Sequence, residues 1–174
     1  MDRFASLALL VLLSGCRPEA VEVERELAWR ARPQWLTLIR PDPSVPPELG
    51  GREVVTFHCE GGRLYVEARG LPIGTDVGGG DPADWRSMIV TGGGERAAGP
   101  IVRRTSGYET WPATDLRLRK PELVQMLSGE TIKVTVVPHF WTGLKHGLGL
   151  QSRIAPAPSA AMTGTFLSGC EGPG

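Results

Sequence analysis

Apolar and polar residues alternate with a period of two through residues 52–70, in two runs that flank Gly61-Gly62. A Gly-Gly pair tolerates the positive φ angles of a type I′ turn, so the spacing predicts a two-residue hairpin loop. That register sets Cys59 against Leu64, Phe57 against Val66 and Val55 against Ala68, an all-apolar face. The other face carries His58 with Tyr65 and Thr56 with Glu67, while Glu60 meets Arg63 beside the turn. A slip of one residue would scramble both faces, so the register is firmly specified.

The remaining patterns are shorter. Val21, Val23, Leu27 and Trp29 alternate with polar residues, and residues 35–39 form a second apolar run. The Pro41-Asp42-Pro43-Ser44-Val45-Pro46-Pro47 stretch then stops it. Residues 70–84 are turn-rich, 85–91 read as a strand, Gly92-Gly93-Gly94 as a turn, and 101–105 as an antiparallel return. Residues 120–129 make the one convincing helix. Pro121 suits its first turn, Glu122 the positive end of its dipole, and Gly129 its stop. A β-branched strand at 131–137 follows, closed by Pro138, and residues 162–170 read as the final strand. Strands at this spacing with a single short helix predict a mainly β fold, an antiparallel β-sandwich or small barrel.

Composition supports that class and excludes others. Gly and Pro together exceed a fifth of the 174 residues, too much punctuation for a helix bundle. Nineteen basic residues balance nineteen acidic ones, which removes the electrostatic footprint expected of a nucleic-acid binder. A 41% hydrophobic content sets the chain apart from disordered charged tails.

The N-terminus reads as an address. Residues 4–13 form an almost wholly apolar run, too short to span a bilayer but suited to a signal peptide. Leu13-Ser14-Gly15-Cys16 follows and resembles the lipobox of bacterial lipoproteins at every position. The resemblance implies removal of residues 1–15 and attachment of acyl chains such as palmitate to Cys16. Two or more chains retain a protein stably where one chain is marginal. Arg17, in place of Asp, implies the outer membrane, with the protein facing the periplasm of the cell envelope. Residues 16–26 then form a charged tether, and 27–174 a single β-rich domain. With Cys16 lipidated, Cys59 and Cys170 remain as an even pair in an oxidising compartment and read as one disulfide. The alternative, a pair of free or metal-binding thiols, has no nearby Cys and only scattered His residues to support it.

Candidate chemistry is sparse. His58 and Cys59 are adjacent, yet neighbouring strand residues point to opposite faces, so the imidazole cannot activate that thiol. A surface His beside a structural Cys is the expected reading. His139 and His146 bracket Phe140-Trp141-Thr142-Gly143-Leu144-Lys145 at a spacing that matches no zinc motif, which predicts a solvated loop. Asp76, Asp81 and Asp84 offer oxygen ligands, but their spacing is not that of an EF-hand, and a surface loop is the better reading. Gly92-Gly93-Gly94-Glu95-Arg96 lacks the Lys-Ser/Thr ending of a phosphate loop.

Two segments combine aromatics with neighbouring cations, as recognition surfaces do. One holds Ser106, Tyr108 and Trp111 after Arg103-Arg104; the other holds Phe140 and Trp141 beside Lys145. Each Trp could equally fill the core. The order of the residue 55–59 and 62–66 strands, Leu123-Val124-Gln125-Met126-Leu127, residues 131–137 and Met162-Thr163-Gly164-Thr165-Phe166-Leu167-Ser168-Gly169 is similar to that of periplasmic β-sandwich proteins linked to type VI secretion. The Cys59 hairpin and Ser106-Gly107-Tyr108 resemble the membrane-bound inhibitors of c-type lysozyme, which implies an alternative role against cell-wall hydrolases. The expectation is a lipid-anchored envelope lipoprotein with a non-catalytic binding or accessory domain. It would use no cofactor, metal or nucleic acid, and would meet the membrane through Cys16 and a protein or cell-wall partner in the envelope.

Overall fold

The computed structural model describes residues 24, 26–42, 44, 51–69, 85–106, 109–146 and 149–170. Cys16 and the lipobox, the three Asp residues of 76–84, and Tyr108 lie outside the described residues. The fold is mainly β, as expected, with nine antiparallel strands in one curled sheet rather than two packed sheets. In chain order they are β1 (Ala28–Arg32), β2 (Trp35–Pro41), β3 (Gly51–Glu60), β4 (Arg63–Ala68), β5 (Trp85–Gly92), β6 (Glu95–Ser106), β7 (Glu109–Leu116), β8 (Thr131–Pro138) and β9 (Gln151–Pro156). Their order across the sheet is β1-β2-β3-β4-β7-β6-β5-β8-β9. Among the described residues three short helices accompany them: α1 (Lys120–Leu127), α2 (Phe140–His146) and α3 (Ala160–Leu167).

The β3–β4 hairpin has the register read from the sequence, with Cys59 opposite Leu64, Phe57 opposite Val66, and Val55 opposite Ala68. Gly61 and Gly62 adopt φ of 57° and 75°, the pair of positive angles a type I′ turn requires. The apolar face of this hairpin continues through Leu36 and Leu38 on β2, and the buried core gathers Met88, Val90, Val136 and Phe166 around it. Strand β6 serves both halves of the sheet. Residues 95–100 pair with β5 and 101–106 pair with β7, so the sheet turns where the ladder changes partner at Pro100.

Strand direction alternates along the chain, which sorts the connections by end. The Pro33-Gln34, Gly61-Gly62 and Gly93-Gly94 turns, α1 and α3 belong to one end. The β2–β3, β4–β5, β6–β7 and β8–β9 connections, the last containing α2, belong to the other. With nine alternating strands, β1 and β9 run in the same direction, so no antiparallel ladder can close the seam between them. Instead the Glu24 N–H donates to the Ile154 carbonyl at 2.9 Å, and the Trp29 indole N–H to the Pro156 carbonyl at 2.6 Å. The Glu24 carboxylate also takes Arg153 at 2.6 Å and Arg40 at 2.9 Å.

One expected strand is a helix. Residues 162–170 belong largely to α3, whose start is fixed by Ser159, its hydroxyl accepting the Met162 N–H. Thr163, Phe166, Leu167 and Cys170 are buried, a spacing of three and four that only a helix places on one face. Cys170 then reaches Cys59, and the two form a disulfide with Cα atoms 5.4 Å apart across 111 residues. Gln34 bridges the same region. It holds φ at 70°, and its N–H donates to the Phe166 carbonyl while its own carbonyl accepts the Cys59 N–H. A Cβ on Gly169 would stand 2.6 Å from the Gln34 nitrogen, so only glycine lets the chain pass there.

Candidate functional site

Two places gather chemistry-bearing side chains. The first is the sheet face opposite the core. Alternation along β3 sends Cys59 inward and His58 outward, and the neighbouring strands supply rings on both sides of the imidazole. Trp35 stacks on His58 with centroids 4.6 Å apart, and His58 on Tyr65 at 5.2 Å. The Arg104 guanidinium lies 4.8 Å from the centre of the Tyr65 ring. Further along β4, the Glu67 carboxylate accepts the Trp111 indole N–H at 2.8 Å and an Arg69 N–H at 3.2 Å. Arg69 also covers the Trp111 ring at 3.8 Å and pairs with Glu53 at 3.0 Å.

This face is closed over by its own long side chains. His58 is 4% exposed and Glu67 5%, so the expectation of a surface histidine is corrected: Trp35 and Tyr65, from strands on either side, cover it. Burial pushes the imidazole pKa below its ordinary value, the nearby Arg104 charge adding to the effect and the carboxylates of Glu67 and Glu60 opposing it. Each carboxylate stands 3.8 Å from a ring nitrogen, beyond hydrogen-bond reach. Cys59, engaged in the disulfide, offers this imidazole no thiol. Trp111 is buried with its N–H satisfied, so it belongs to this framework and is not presented to solvent.

The second place is the β8–β9 connection. It contains α2, where the sequence predicts a solvated loop. Helix nucleation is weak here, with a central Gly143 and no capping acid, and the turn is held by the Gly143 N–H donating to the His139 carbonyl at 2.7 Å. Phe140 is 69% exposed, Trp141 77% and Leu144 70%, and Leu150 just beyond is exposed as well. Leu144 follows Phe140 by four residues and Trp141 by three, so all three share one helical side. The two rings meet edge to face with centroids 5.2 Å apart, making one continuous apolar surface. Lys145 lies in the same helix.

The two segments singled out in the sequence differ in exposure where the structure describes them. Phe140 and Trp141 stand exposed on α2 with Lys145 beside them in the chain, and Trp111 is buried on the sheet face. Ser106 pairs with Glu109 at the head of the β6–β7 ladder. Sequence reasoning missed Leu144 as part of the apolar surface; its helical spacing from Phe140 and Trp141 was the available signal. It also missed the Trp35–His58–Tyr65 stack, half of which was present in the predicted hairpin pairing. Comparison of the chain with protein-family models, with curated proteins and with solved structures finds no match.

Proposed function

We propose that this protein is a cell-envelope lipoprotein, held to a membrane by acyl chains on Cys16, whose β domain is a non-catalytic module that presents the α2 end to another envelope component. The observation that carries the interaction surface is the trio Phe140, Trp141 and Leu144, three large apolar side chains held side by side in water. Keeping such a cluster exposed forgoes burial of about 1.5–3 kcal/mol per side chain, which marks surfaces that meet something else. The anchor rests on the Leu13-Ser14-Gly15-Cys16 resemblance, and the cystine fits an oxidising compartment.

Fractionation of cells carrying Cys16→Ser tests the anchor: the variant should leave the membrane fraction. A photoreactive residue at position 141 tests the surface, with position 124 on α1, exposed at the opposite end, as its control. Cross-links to an envelope component are expected at 141 and not at 124. Membrane retention of Cys16→Ser, or equal cross-linking at the two positions, would overturn the corresponding half of the proposal.

A further inference from the structure

We infer that the occupant of the α2 surface is the bilayer itself: Phe140, Trp141 and Leu144 enter the interface of an anionic phospholipid membrane. The inference rests on the reading of the chain as anchored through Cys16 and deepens it by naming what the apolar trio touches.

Reach is the first support. Glu24 bonds to Ile154 and Trp29 to Pro156, which sets this first described stretch of the chain beside β9. Strand β9 starts at Gln151, at the α2 end. Eight residue steps lead from Cys16 to Glu24, a reach of at most about 28 Å. From Ile154 to Gln151 is three residues, about 10 Å along the strand. A lipid on Cys16 and the tip of α2 can therefore touch one membrane plane.

Chemistry is the second support. Trp and Phe on one helical side, in a segment whose sequence also carries Lys145, is the composition of interfacial helices, which settle about 5–10 Å into the headgroup boundary. Charge is the third. Residues 139–150, the connection that carries α2, include Lys145 and contain no Asp or Glu, so this connection offers no carboxylate to repel anionic headgroups. Glu24, where the tether joins the sheet, has its carboxylate held by Arg153 and Arg40.

The test uses the intact lipoprotein, extracted in detergent and reconstituted into vesicles of phosphatidylethanolamine and phosphatidylglycerol. A fraction of the lipid is brominated near the top of the acyl chain, and tryptophan emission is read. Trp29, Trp85 and Trp111 are buried in the protein, and Trp35 lies near the disulfide end, so quenching should come from Trp141. We expect wild-type emission to fall and Trp141→Phe to lose most of that fall. Phe140→Ser/Leu144→Ser should lose it too, with an unchanged circular dichroism spectrum. Replacing phosphatidylglycerol with phosphatidylcholine, or introducing Lys145→Glu, should weaken the quench.

Equal fractional quenching of wild type and Trp141→Phe in protein that floats with the vesicles would overturn the inference and leave the lipoprotein reading intact. So would a quench indifferent to the anionic lipid, or cross-linking at position 141 in cells to protein alone. Failure of the wild-type protein to float would sink the anchor, and with it the inference that rests on it.

Discussion

The two ends of this curled sheet are built on opposite plans. At the disulfide end every described connection is a two-residue turn or a packed helix, and the Cys59–Cys170 bond, Gln34 and α3 lock three distant parts of the chain together. At the α2 end three of the four connections, all but β6–β7, are longer, and the helix described there turns its aromatic side to water. Apolar side chains of the same kind are spent on cohesion at one end and left available at the other. The difference teaches that the fold does not need the α2 surface: stability is concentrated where the chain is cross-tied, which frees the opposite end to evolve contacts.

The largest break in that comparison should come from Cys59→Ala/Cys170→Ala. Opening a loop of this length is worth on the order of 4–5 kcal/mol by chain-entropy reasoning, seen as a lower midpoint in chemical denaturation. Phe166→Ala comes next. Phe166 is fully buried between α3 and the sheet, and losing its ring should cost about 3–5 kcal/mol in the same assay.

An acid-sensitive term follows from His58. Its folded-state pKa lies below the unfolded value, so at high pH both states are neutral and the residue contributes no pH dependence. As pH falls through the ordinary imidazole range, the unfolded chain takes up a proton that the folded protein resists, and stability drops until the folded-state pKa is passed. His58→Phe should flatten the part of the stability–pH curve that begins near neutrality and runs to lower pH. A slope identical to wild type over that interval would count against it. The smallest effect belongs to Phe140→Ala, the same substitution as at 166 but at the other end. It should shift stability by less than about 0.5 kcal/mol while weakening the contact of α2 with the membrane, read as a smaller Trp141 quench. A large loss of stability there would erase the contrast between the ends.

How far the sequence carried the fold follows from which signals are local. The β3–β4 hairpin was legible to the residue, because Gly61-Gly62 and strict alternation specify one register. Helix α1 was legible from Pro121, Glu122 and Gly129, with Leu123, Met126 and Leu127 as its buried face. Strand β7 was not, since Pro112 sits mid-strand in a run otherwise suited to pairing, and proline within a run argues against a central strand. Strand β9 begins Gln151-Ser152-Arg153 and offers no apolar alternation. In α3, Thr163, Thr165 and Phe166 carry strand propensity, while the Ser159 cap and the three-and-four spacing carried the better information. At the candidate sites, Phe140 and Trp141 were visible as aromatics, but their exposure depends on which strands β8 and β9 flank. His58 was misjudged because its cover comes from β2 as well as β4, and only the three-strand pairing brings Trp35 over it.

The disulfide also decides what tension could do to this molecule. Load applied between the N-terminus and the residues after Cys170 passes along the chain to Cys59, crosses the sulfur–sulfur bond, and leaves at Cys170. Residues 60–169, with six of the nine described strands and the three described helices, stay outside the line of force and cannot be drawn out. Of the described strands, β1, β2 and β3 can lengthen. The oxidised molecule is thus a short tether with a large folded bead hung beside it, and reduction would turn the bead into slack.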